Sequence, residues 1–109
     1  SNTPLQALTT LNSATFSEAA QTLAKKIMSK SDVIKKTDSE HIEELFKTCL
    51  FRSPDPTEAK ALLTLLADSK AAFAQQPQET KKFASNVDLA AWTSVARIVL
   101  NTDEFITRD

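Results

Sequence analysis

Glycine is absent from this chain of 109 residues, where average usage of about 7% would supply roughly eight. Phosphate loops, dinucleotide-binding turns and nucleophile elbows all need backbone that a Cβ would obstruct, so the sequence excludes them. One cysteine, Cys49, and one histidine, His41, cannot supply the repeated soft ligands of a zinc, iron-sulfur or c-type haem site, and no disulfide can form within the chain. Tyrosine is missing as well. Alternating apolar and polar runs do not persist and no Asn-Gly or Asp-Gly turn occurs, which removes the usual signals of a β-sheet. Apolar runs are a few residues long, too short to span a bilayer, and no charged start followed by an apolar core resembles a signal peptide.

What is present describes a single helical domain. Hydrophobic residues make up 41% and charged residues 25%, enough for one core and no large surplus of stability. Thirteen basic and fourteen acidic side chains leave a net charge of -1, which gives no global attraction to nucleic acid or to an anionic membrane. Helix signals occur in every segment. Thr3-Pro4-Leu5-Gln6 reads as a capping box with proline at the first helical position, and predicts a short helix over Pro4 to Leu11. After Asn12-Ser13, a second helix over Ala14 to Lys30 places Phe16, Ala20, Leu23 and Ile27 on one stripe. Thr37-Asp38-Ser39-Glu40 is another capping box, followed by the stripe Ile42, Leu45, Phe46, Cys49 and Leu50.

Asp55, Pro56 and Glu58 then start a fourth helix, whose face of Ala59, Leu62, Leu63, Leu66 and Phe73, broadened by Leu65, is wide enough for the centre of a bundle. Gln75 to Asn86 is polar, with Pro77 as breaker, and reads as the longest and most mobile loop. A fifth helix over Val87 to Leu100 turns Leu89, Trp92, Val95, Ala96 and Val99 inward. Phe105 and Ile106 pack back if the chain bends after Asn101. The fold expected is an all-α, single-domain bundle of about five helices around one core.

Candidate sites each have a structural explanation. Residues 25 to 36 carry five lysines against Asp32 and are net +4, while Asp38, Glu40, Glu43 and Glu44 make the next stretch net -4. Opposite blocks at the end of one helix and the start of the next match both dipoles and cancel at range, so a phosphate site is not required. No aromatics interleave with the lysines, against single-strand nucleic-acid binding. Cys49 lies on an apolar stripe and reads as a core thiol; His41 reads as a solvated first-turn residue. Two turns, about 12 Å of helix rise, separate them. Asp103 and Glu104 are adjacent on the chain and do not share a helix face, so they are no acid/base pair. Gln6, Asn12, Asn101 and Glu104 are polar residues at helix ends beside apolar ones; Asn12 and Asn101 read as caps on free carbonyls or amides, with Gln6 and Glu104 closing a buried network between the termini. No catalytic, metal or cofactor-binding residue is implied.

Thr3-Pro4-Leu5-Gln6-Ala7-Leu8 with Leu11-Asn12, and Ala96-Arg97-Ile98-Val99-Leu100-Asn101 with Asp103-Glu104-Phe105, resemble the C-terminal part of the planctomycete PSD-one domain. Phe46 to Glu58 is similar to that family's middle segment. The family is of unknown function and occurs in large planctomycete and verrucomicrobial proteins that often also carry a cytochrome-c-like domain. Two departures are local. Asn12 is followed by Ser13-Ala14 where relatives often continue Asp-Pro, and Phe51 stands where they often have glycine before the middle arginine. The turn there is expected from Ser53-Pro54-Asp55-Pro56, with helices ending on asparagine, serine or proline.

The resemblance implies that residues 1–109 are the C-terminal portion of a longer, exported protein, periplasmic or at the cell surface. Other domains of that parent chain would be the partner, met by exposed members of the set Leu5, Leu8, Phe16, Trp92, Phe105 and Ile106. The expected role is a non-catalytic structural or interaction module. The alternative is one wall of the active site of a redox or carbohydrate-active parent enzyme, contributed near Asn101 to Phe105.

Overall fold

Two capping boxes start the middle of the fold where the sequence places them. A computed structural model describes residues 14–29, 36–81 and 84–102, with side chains from residue 18 onward. Thr37 Oγ1 accepts the backbone N–H of Glu40 at 3.2 Å, and the Glu40 carboxylate accepts that of Thr37 at 2.8 Å. Asp55 and Glu58 exchange the same pair of bonds at 2.8 and 3.0 Å, with Pro56 at the first helical position. Each satisfies two amides that a helix start leaves open. Asn86 caps a third start by accepting from Leu89 N–H at 2.8 Å.

Five helices follow among the described residues, with no strand: α1 (Ala14–Ser29), α2 (Asp38–Leu50), α3 (Pro56–Ala74), α4 (Pro77–Lys81) and α5 (Val87–Leu100). The helix expected over Pro4 to Leu11, the side chain of Phe16, and Gln6, Asn12, Asp103, Glu104, Phe105 and Ile106 lie outside the described residues. The polar stretch from Gln75 to Asn86 is not all loop. Pro77, expected to break structure, begins α4, and Thr80 is buried. Its hydroxyl lies 2.9 Å from the Phe73 carbonyl and 3.0 Å from that of Gln76, so one proton serves the open end of α3.

The stripes are buried as their spacing requires. Ile42, Leu45, Phe46, Cys49 and Leu50 of α2 are all in the core, as are Ala20 and Ile27 of α1, while Leu23 is partly buried and Ala24 beside it fully so. In α3, Leu62, Leu66 and Phe73 are buried, while Leu63 and Leu65 are partly so. Centrality belongs to α5 and not to α3. Every residue of α5 from Leu89 to Arg97 is buried, and so are Val99 and Leu100. The helix packs most extensively on α1 and α3, with α2 and α4 also against it. Ala90 and Ala91 are fully buried there, and such small side chains allow neighbouring backbones to approach closely. The polar Thr93 is tolerated because its hydroxyl donates to the Leu89 carbonyl at 2.7 Å. The radius of gyration, 13.1 Å, equals the roughly 13 Å of a compact chain this long.

The missing glycine is answered at Phe51. This residue ends α2 in the left-handed region, φ 59° and ψ 32°, and its N–H closes the helix on the Lys47 carbonyl at 3.2 Å. Phe51 itself therefore turns the chain, ahead of Ser53-Pro54-Asp55-Pro56. The ends of α3 and α5 use ordinary backbone: Gln75 after α3 is right-handed and Asn101 after α5 lies at φ -96°, ψ 10°.

Candidate functional site

His41 and Cys49 are the residues whose chemistry could matter most, and both are core side chains. His41 is in the first turn of α2, yet only 6% exposed, so it is not the solvated residue its position suggests. The reason is register. His41, Leu45 and Cys49 are four apart and share a face of the helix. Its ring meets Trp92 of α5 at a centroid distance of 5.4 Å and an interplanar angle of 54°, a tilted aromatic contact. Neither ring nitrogen has a hydrogen-bond partner. Cys49 is buried and free, and burial pushes its thiol pKa up, opposite to what a nucleophilic thiolate needs.

The most organised polar cluster lies between α2 and α3. Arg52 Nη1 and Nη2 donate to the two carboxylate oxygens of Glu58, each at 2.8 Å. The guanidinium carbon is 5.3 Å from the centre of the Phe46 ring, within range of a cation–π contact. The guanidinium and the Asp55 backbone N–H together push the Glu58 pKa down from its ordinary 4.5 to about 2. A planar guanidinium matched to both carboxylate oxygens is strong and directional. Here it holds the loop from Phe51 to Asp55 across the start of α3, which is a latch and leaves Glu58 a poor proton carrier near neutrality.

The charged face of α2 forms an open hollow of about 520 Å³ lined by Lys36, Glu40, Glu43, Glu44, Lys47 and Thr48. Its charges pair within it: Lys36 Nζ is 3.3 Å from Glu44, and Lys47 Nζ is 2.9 Å from Glu43. Glu40 is occupied by the capping box, and the bonds from Thr37 hold its pKa below the usual value. Lys36–Glu44 is thus a point where the basic and acidic blocks of the sequence neutralise each other. On another side, Lys70 of α3 sits 3.9 Å from both Asp38 and Asp88, between the starts of α2 and α5. Among the described residues, no group of three or more His, Cys, Asp or Glu could hold a metal ion.

Of the residues expected in the capping network or at an interface, Trp92 and Asn101 are described. Trp92 is 4% exposed and central. Asn101 is exposed at the end of α5, where its backbone N–H donates to the Arg97 carbonyl at 3.0 Å. Gln6, Asn12, Glu104 and Phe105 lie outside the described residues. Sequence reasoning missed Arg97, which is 3% exposed and whose pKa burial lowers. The available signal was its position four residues before Asn101 and three after Ser94, on one face of an otherwise apolar helix.

No helix among the described residues is long and apolar enough to cross a membrane. A family model matches residues 1–66: PSD1, a protein of unknown function (DUF1553). That range contains the first and middle motifs and ends inside α3, well before the motif around Ala96 to Phe105. No curated protein matches the chain, and no solved structure does.

Proposed function

The chain belongs to the PSD1 family, and on that premise we propose that residues 1–109 are the C-terminal helical part of a larger exported protein of planctomycete type, serving as a structural and interaction module. The observation that carries this reading is the fate of the two reactive side chains. His41 is packed against Trp92 and Cys49 is in the core with a raised pKa. The other well-placed polar groups support the same reading, since Arg52, Glu58, Thr37, Asp55 and Thr80 all hold turns and helix ends. The partner in this reading is the rest of the parent chain, and the compartment is the periplasm or the cell surface.

Deleting the segment from the full-length parent tests the proposal. Loss of folding or of secretion is the expected result. Normal folding and secretion with a specific activity abolished would replace the module by an active-site wall near Asn101 to Phe105. A deletion that left folding, secretion and activity unchanged would remove both readings.

A further inference from the structure

We draw no further inference here: the strongest candidate, the exposed Phe51 side chain at the turn between α2 and α3, is an apolar surface feature, and nothing in the structure shows what covers it.

Discussion

Phe51 combines two costs at one position: a left-handed backbone and an aromatic side chain 75% exposed. The left-handed conformation disfavours a residue with a Cβ by about 1–2 kcal/mol, whereas glycine's extra freedom in the unfolded chain costs about 0.5–1 kcal/mol. The first effect is the larger. Phe51→Gly is therefore expected to stabilise the fold by about 0.5–1 kcal/mol, read as a higher urea midpoint at unchanged slope. A lower midpoint would show that the Phe51 side chain contributes more than its backbone costs.

Glu58 makes a prediction of the opposite kind. Its folded pKa, about 2, lies below the ordinary 4.5, so its contribution is fully present above pH 4.5 and is lost as pH falls towards 2. The carboxylate is partly exposed and solvent screens the pair, so the effect is modest. Glu58→Gln, which cannot ionise, should be less stable than the parent at pH 7, and the gap between the two melting temperatures should close between pH 4.5 and 2. A gap independent of pH would mean that the carboxylate charge does not stabilise the latch.

At the scale of the helix, burial is decided by neighbours as much as by pattern. Ala91 of α5 is fully buried between packed helices, while Ala61 of α3 is exposed. Ala91→Leu should cost about 1–3 kcal/mol or more by overpacking, and Ala61→Leu should stay within about 0.5 kcal/mol. Equal effects in thermal melts would contradict the central position of α5. The same contrast explains what could be read from the chain. The stripe of α2 and both capping boxes were legible because they depend on residues three or four apart. The rank of α3 and α5 was not, because a broad apolar face says nothing about how many elements cover it. Thr93, Ser94 and Arg97 gave α5 a mixed appearance that burial does not respect. His41 was legible in principle, four residues before Leu45, but its place in the first turn suggested solvent. The left-handed Phe51 left no local signal beyond the missing glycine, and α4 was concealed because Pro77 reads equally as a breaker and as a first helical residue. For the candidate site, the middle motif foretold a turn but not the Arg52–Glu58 latch, since a contact six residues apart through a loop has no fixed period.

The described residues share one core cluster, and the family match covers only part of it. Residues 1–66 include α1, α2 and the first half of α3, but the buried faces of α1 and α3 both pack on α5, which lies at Val87–Leu100. Phe73, Trp92, Val95 and Val99 belong to the same cluster as Ala20, Ile27 and Ile42. A module that acts as a unit must therefore extend through α5. Far-UV circular dichroism of residues 1–66 beside residues 1–109, each followed through a urea titration, tests this most directly. The account predicts a single cooperative transition for the longer chain, and low helicity with no cooperative transition for the shorter one. Equal helicity per residue and a cooperative transition in residues 1–66 would contradict it.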